Sequence, residues 1–191
     1  MKISTRKEEI IAVASHLFKE KGYTAVTMRD IAYAMDMKAA SLYNHISGKQ
    51  ELLHSLVMRV AHAFTDGMEE VRNSSISPLS KITRIIEIHI DITVAHPDAL
   101  ATMNNDWMHL EEEALQQFVA MRDAYEENFR TILKEGMNKG ELKNRHPEVM
   151  LFSILSTLRT LYLWYQKRGK VDENVLKRDM TEVLLKGIVK R

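Results

Sequence analysis

Between Thr27 and Lys49, in the run TMRDIAYAMDMKAASLYNHISGK, the chain gathers side chains that suit phosphate oxygens: the hydroxyls of Thr27 and Tyr43, the imidazole of His45 and the ammonium of Lys49. Arg29, Lys38 and Asn44 add groups able to make paired hydrogen bonds to a base edge, whereas Ala39 and Ala40 offer methyl contact with thymine. The chemistry is that of holding a nucleic-acid backbone while reading bases.

The elements that would carry these groups follow from the same run. Thr27 stands three residues before Asp30, the spacing at which a hydroxyl caps the first free amides of a helix and the carboxylate reaches back to the cap amide. Ile31, Ala34 and Met35 then form one apolar face, interrupted by Asp36, Met37 and Lys38. A second short helix is predicted from Ala39, with Leu42 and Ile46 inward and Ser41, Tyr43, Asn44 and His45 outward or at the rim. Two short helices at a steep angle, the second with a small and polar outer face, fit a major groove.

The ordered set Leu42, Tyr43, His45, Lys49 and Leu52 resembles the LYxHxxxKxxL run that ends the helix-turn-helix of the TetR family of transcriptional repressors. The resemblance assigns Thr27, Tyr43, His45 and Lys49 to DNA phosphates, and Arg29, Lys38, Ala39, Ala40, Ser41 and Asn44 to groove-facing positions. Lys49 also opens a helix whose free amides attract anions. Asp36 stands where the family often has Gly, and Ile46 where it often has Phe, so the elbow is expected to differ slightly.

The 191 residues are 45% hydrophobic and 28% charged, ordinary for a soluble fold. No cysteine is present, which excludes disulfides and thiolate metal sites and fits a reducing cytoplasm. The N-terminal MKISTRKEE has no apolar core of a signal peptide, and no uncharged run approaches the length of a membrane span, so a soluble cytoplasmic protein without membrane contact is expected. Net charge is +1, yet residues 1–60 hold nine Lys and Arg against six acids, an excess of +3 that leaves −2 for the rest. That is the sign phosphate contact requires.

The expected fold is all-α with about nine helices: a three-helix head, residues 1–48, and a helical effector and dimerisation body, residues 49–191, joined by the helix starting at Lys49. Thr5 with Glu8 repeats the capping spacing, and Ile10, Ile11, Ala14, Leu17 and Phe18 form a stripe ending at Gly22. Ile10 to Phe18 are expected to form a small core with Ile31, Met35, Leu42 and Leu53. The helix from Lys49 to about Val71 carries Leu56, Val60, Phe64 and Met68 into the body, and a polar loop at Asn73–Ser77 precedes Pro78. In residues 82–95 the local rules conflict. Ile86, Ile88, Ile90, Ile92 and Val94 alternate as in a strand, while Ile82, Ile85, Ile86, His89 and Thr93 make a helical face with Ile88 and Ile92 on another. With no second strand to pair, a helix buried on two sides is predicted.

His96 and Pro97 end it, a short helix is expected over Asp98–Asn105, and one long helix from about Trp107 to Lys139 before Gly140. Pro147 opens a helix carrying Leu151, Ile154, Leu155, Leu158, Tyr162 and Tyr165 and closing at Lys167, Arg168 and Gly169, and a last helix carries Val175, Leu176, Met180, Val183, Leu184 and Ile188. Both are too apolar for one-sided surface helices, so they are expected to form a homodimer four-helix bundle. The interface is assigned to Leu151, Ile154, Leu155, Tyr165, Met180, Val183, Leu184, Gly187 and Ile188. Two heads about 34–36 Å apart would then read a palindromic double-stranded operator.

In the family the body binds a small effector that moves the heads out of register. Arg122-Asp123 with Tyr125, EGMNKGEL around Gly136 and Gly140, and LWY at 163–165 before Gly169 resemble branches that sense fatty acyl or other acyl-CoA molecules. The expected lining is Ile88, Ile92, Met103, Trp107, Met108, Phe118, Met121, Tyr125, Leu158 and Tyr162, apolar with a few polar tips. Asp106, His109 and Glu113 share a helical face, but that spacing is read as solvated charge, and no metal and no cofactor are expected. No GxSxG, P-loop or GxGxxG occurs, which argues against an enzyme. The alternative is a helical interaction module without DNA binding, with an all-α enzyme behind it.

Overall fold

The structure is a computed structural model, and it describes residues 5–167 and 171–190. Nine α-helices account for it among the described residues: α1 (Arg6–Lys21), α2 (Met28–Ala34), α3 (Ala39–Leu42), α4 (Lys49–Asn73), α5 (Pro78–Ala95), α6 (Pro97–Asp106), α7 (Glu112–Asn138), α8 (Pro147–Lys167) and α9 (Glu173–Lys186). The only extended pairing among those residues is one antiparallel bridge between Leu142 and Val189. No helix among the described residues is long and apolar enough to cross a membrane. Arg168 and Gly169, where the sequence predicts the close of α8, lie outside the described residues.

The chain divides into two compact units. The first comprises residues up to Ala61 with Asp98–Val119, and the second His62–Pro97 with residues from Ala120 onward. α4 and α7 each contribute to both.

In the first unit the two predicted capping boxes form. Thr5 accepts from the Glu8 amide and Thr27 from the Asp30 amide, with both carboxylates returning to the cap amide. Ile10, Ile11, Ala14, Phe18, Ile31, Leu42 and Leu53 are all buried, joined by Val26, Ile46, Leu52, Leu56 and Val57, while Met35 stays half-buried. The second helix of the elbow is shorter than predicted. α3 is regular only over Ala39–Leu42, and Ile46 is drawn in by its amide donating to the Leu42 carbonyl.

The predicted continuous helix from Trp107 is broken. Trp107–His109 form a 3₁₀ turn, Leu110 is extended and buried, and α7 starts at Glu112. The rings of Trp107 and Phe118 lie 5.6 Å apart. In an unbroken helix residues eleven apart would be separated by about 16 Å, so the turn is what lets this pair meet.

In the second unit α5 is a helix despite its alternating β-branched residues, with Ser77 capping the Ser80 amide and Pro78 in the first turn. Ile82, Ile85, Ile86, Ile88, Ile90 and Ile92 are all buried, and α5 packs against both α8 and α9. What polar face remains is the narrow stripe of Arg84, Glu87 and Asp91, 35–40% exposed and joined by ion pairs, which leaves most of the circumference apolar.

Candidate nucleic-acid interface and effector region

The elbow is held by polar groups that leave its outer face free. Thr27 donates from its amide (2.7 Å) and its hydroxyl (2.6 Å) to one oxygen of Asp30, whose own amide donates back to the Thr27 hydroxyl at 3.2 Å. The hydroxyl bond, then the amide bond, keeps the Asp30 carboxyl below the usual carboxylate range. Asp36 turns the chain with a left-handed φ of 52°, the conformation glycine would take without strain. With Leu42 and Ile46 at 0 and 1% exposure as anchors, α3 and its following turn hold Lys38, Ala40, Tyr43, Asn44 and His45 exposed, and Ala39 and Ser41 half-buried. Arg29 is exposed on α2 and Thr27 at its cap. Nine of the ten residues singled out from sequence are thus gathered on α2, α3 and their flanking turns.

Lys49, the tenth, is turned the other way. Its ammonium donates to the carbonyls of Tyr23 (2.8 Å) and Val26 (2.9 Å), reaches that of Thr24 at 3.5 Å, and lies 4.2 Å from the centre of the Tyr23 ring. In the chain without DNA its three protons are directed at carbonyls of the α1–α2 turn rather than outward with the other nine. Burial lowers its pKa, with Asp106 opposing. The N-terminus of α4 already has an anion as well. The Glu51 carboxylate accepts from the Ser47 amide and hydroxyl at 2.7 and 2.8 Å and pairs with Lys7 at 2.5 Å. The Lys7 bond first, then those of Ser47, lower its pKa to about 2.

Tyr23 also ties in the segment around Trp107. Its amide donates to Asp106 at 3.4 Å, its ring stacks on that of His109 at 5.6 Å, and the Gln50 side-chain amide donates to the His109 carbonyl at 2.8 Å. Burial raises the Asp106 carboxyl, against the Tyr23 amide, His109 and Lys49. An open groove of about 540 Å³ lies beside this cluster, lined by Tyr23, Lys49, Gln50, His54 and Glu111 among others. Among the described residues no group of three His, Cys, Asp or Glu side chains is placed to hold a metal ion.

The residues expected to line an effector cavity fall in both units. Ile88, Ile92, Tyr125, Leu158 and Tyr162 are buried in the second unit with Met121 half-buried; in the first, Phe118 is buried, Met103 and Trp107 half-buried. Met108, in the 3₁₀ turn, is 52% exposed and so is the one residue of the expected lining that faces solvent. Sequence reasoning missed two neighbours of Tyr125. His89 Nε2 and Tyr125 Oη are 2.9 Å apart, and Phe64 lies 4.5 Å from the His89 ring and 6.2 Å from that of Tyr125. A lone histidine on an isoleucine-rich stripe was the available signal. Burial, and secondarily Arg159, pushes His89 down to about 3, and burial raises the Tyr125 phenol. Both groups are therefore neutral near pH 7, giving the apolar interior a hydrogen-bonding handle without a formal charge.

The residues assigned to a subunit interface divide too. Leu151, Ile154 and Leu155 are 1–4% exposed and Ile188 is 9% exposed, so all four belong to the core of their own chain, a correction to their placement at an interface. Tyr165, Met180 and Leu184 are half-buried, Gly187 exposed and Val183 72% exposed. The outward face of α8 instead carries Val149, Phe152, Leu163 and Trp164. Between them, the hydroxyls of Ser153, Thr157 and Thr160 donate to the carbonyls of Val149, Ser153 and Ser156, leaving a small-residue stripe whose polar groups are satisfied within the helix.

Comparison with known proteins puts this geometry in context. Residues 10–56 match the family model of bacterial regulatory proteins of the tetR family, and residues 75–188 that of the tetracyclin repressor-like C-terminal domain. The chain is 24% identical to the HTH-type transcriptional repressor KstR2 of Rhodococcus jostii (strain RHA1), over 97% of this chain and 92% of that one. Among solved structures it is similar to the ketosteroid transcriptional regulator KstR2 of Mycobacterium tuberculosis, with a TM-score of 0.93, 19% identity and coverage of 100% and 98%. It is also similar to AibR in complex with isovaleryl coenzyme A and operator DNA, with a TM-score of 0.79, 21% identity and coverage of 94% and 97%.

Proposed function

The chain belongs to the tetR family of bacterial regulatory proteins, and from that premise we propose that it represses transcription as a homodimer on a palindromic operator and is released by a small, largely apolar effector. Residues 1–48 serve as the DNA-binding domain and 49–191 as the effector and dimerisation domain. The observation that carries the reading is the outer face of α3: Leu42 and Ile46 fix it to the head while Lys38, Ala40, Tyr43, Asn44 and His45 stay exposed. Lys38 and Asn44, with Arg29 from α2, are the base-reading candidates; Thr27, Tyr43 and His45 meet phosphates, and Ala39, Ala40 and Ser41 let the groove approach. Lys49 acts one step back, holding the α1–α2 turn from which Thr27 projects. DNA as the target places the protein in the cytoplasm.

Selection of bound duplexes from a random-sequence pool tests this. Enrichment of an inverted repeat whose half-sites lie about one helical turn apart is expected; a pool that stays random overturns the proposal.

For the effector we propose an acyl thioester of coenzyme A, in line with the relative crystallised with isovaleryl coenzyme A. The support from this chain is the buried, neutral His89–Tyr125 pair with the Phe64 ring against it, which suits a ligand with an apolar body and an uncharged carbonyl. A series of acyl-CoA molecules of rising chain length, added to the protein on its selected duplex, should release DNA with an optimum in that series. No release by any member refutes the acyl-CoA assignment and leaves the DNA reading in place.

A further inference from the structure

One exposed aromatic side chain has no role in the fold as described. Tyr33, near the end of α2, is 89% exposed, the most of any large apolar side chain among the described residues. Arg29 stands one helical turn before it, so the two share a face, and Ile31 midway between them points into the core at 0% exposure. The core contact that fixes α2 therefore holds this pair directly outward. Among the described residues neither side chain makes a hydrogen bond, ion pair or ring contact. The strip adjoins the face already assigned to DNA, since α2 packs on α3, whose exposed residues include the 53% exposed Tyr43.

Resting on the DNA reading above, we propose that Arg29 and Tyr33 form a second strip of duplex contact on α2, in which the Tyr33 phenol donates to a backbone phosphate and its ring packs on the adjoining sugar. Charge complementarity supports this occupant over a protein partner: a cation without an intramolecular partner stands beside a neutral donor, and an O–H bond to an ionised phosphate oxygen is stronger than one between neutral groups. The strip widens the footprint from the recognition helix to the backbone beside it. The Tyr33 contact with phosphate and sugar carries no sequence information, so its loss weakens binding alike on all sequences, whereas Arg29 on the same strip also reaches the base edges.

That property permits a test without knowing the operator. Binding of the full chain to a mixed-sequence duplex of about 30 base pairs, at about 50 mM salt, is measured by fluorescence anisotropy for Tyr33→Ala, Tyr33→Phe, Arg29→Ala and Tyr43→Ala. Tyr33→Ala should weaken binding about tenfold, the effect of one hydrogen bond to a charged group, and Tyr33→Phe should show most of that loss. Arg29→Ala should lower the salt slope by about one, while Tyr33→Ala leaves it unchanged. Tyr33→Ala binding like the parent while Tyr43→Ala is weakened overturns the strip and leaves the DNA reading standing. A parent chain that does not bind the duplex overturns both. Because Tyr33 lies in solvent, its variants should keep the parent's circular dichroism.

Discussion

Lys49 Nζ stands 2.8 Å from the Tyr23 carbonyl oxygen and 4.2 Å from the centre of the same residue's ring, so one cation caps the backbone and covers the aromatic face of a single residue. A second carbonyl, that of Val26, accepts at 2.9 Å. The ammonium therefore closes the α1–α2 turn. Lys49→Met keeps most of the stem but leaves both carbonyls without their donor, which should cost about 1–3 kcal/mol in urea unfolding. A variant as stable as the parent but deficient in DNA binding would restore Lys49 to a phosphate contact.

Asp36 occupies left-handed backbone at φ 52°, where a side chain with Cβ is strained and glycine is not. Asp36→Gly should stabilise the protein by about 0.5–1 kcal/mol, the relieved strain being partly offset by the freer unfolded chain. Asp36→Val, β-branched, should destabilise it. Thermal melts of the three proteins should fall in the order Gly, Asp, Val; a parent that melts above Asp36→Gly would show that the Asp side chain itself stabilises the turn.

His89 makes stability depend on pH. Its folded pKa, about 3, lies below the ordinary 6.5, so between those values the unfolded chain binds the proton and the folded chain does not. The contribution is complete above pH 6.5 and is lost as pH falls toward 3, with a slope of up to about 1.4 kcal/mol per unit. Lowering the pH from 7 to 5 should cost the parent about 2 kcal/mol more than it costs His89→Gln, which keeps a polar partner for Tyr125 but cannot titrate. That window stays above the carboxylate range, where Glu51 contributes in its turn. Equal losses in both proteins would mean His89 takes up its proton while folded.

Phe152, 72% exposed, lies on the apolar outer face of α8. In a two-fold pairing of that face, a charge at this position would be buried near its symmetry mate. Phe152→Glu should convert a dimer to a monomer in sedimentation velocity, with helix content unchanged because the side chain already faces out. A dimer that survives the substitution would move the interface off α8. The same change at Leu155, 3% exposed, should instead unfold the chain.

Features that depend on neighbours a few residues apart were legible in the amino-acid order. Thr5 with Glu8 and Thr27 with Asp30 close their capping boxes, Ser77 and Pro78 start α5, and Gly140, at a φ of 74°, follows α7, because each device is made from adjacent backbone. The recognition face was legible for the same reason, since Leu42 and Ile46 alone decide which side of α3 looks out. Even the isoleucine run of α5, ambiguous by periodicity, was settled by the lack of a pairing strand. Where competing uses of one side chain are separated by partners far along the chain, the folded arrangement makes the choice. Lys49 is equally suited to a phosphate or a carbonyl, and Tyr23 and Val26, more than twenty residues away, take it. The 3₁₀ turn and extended Leu110 that delay the start of α7 to Glu112 go with the Trp107–Phe118 contact and the stacking of His109 on Tyr23, neither of which a helical pattern registers. On α8 both faces are apolar, so the choice of Leu151, Ile154 and Leu155 for the inside and Phe152 for the outside belongs to its packing against α5. Hydrophobic burial is non-directional, and it takes the assembled neighbours to say which face is spent within the chain and which remains for a partner.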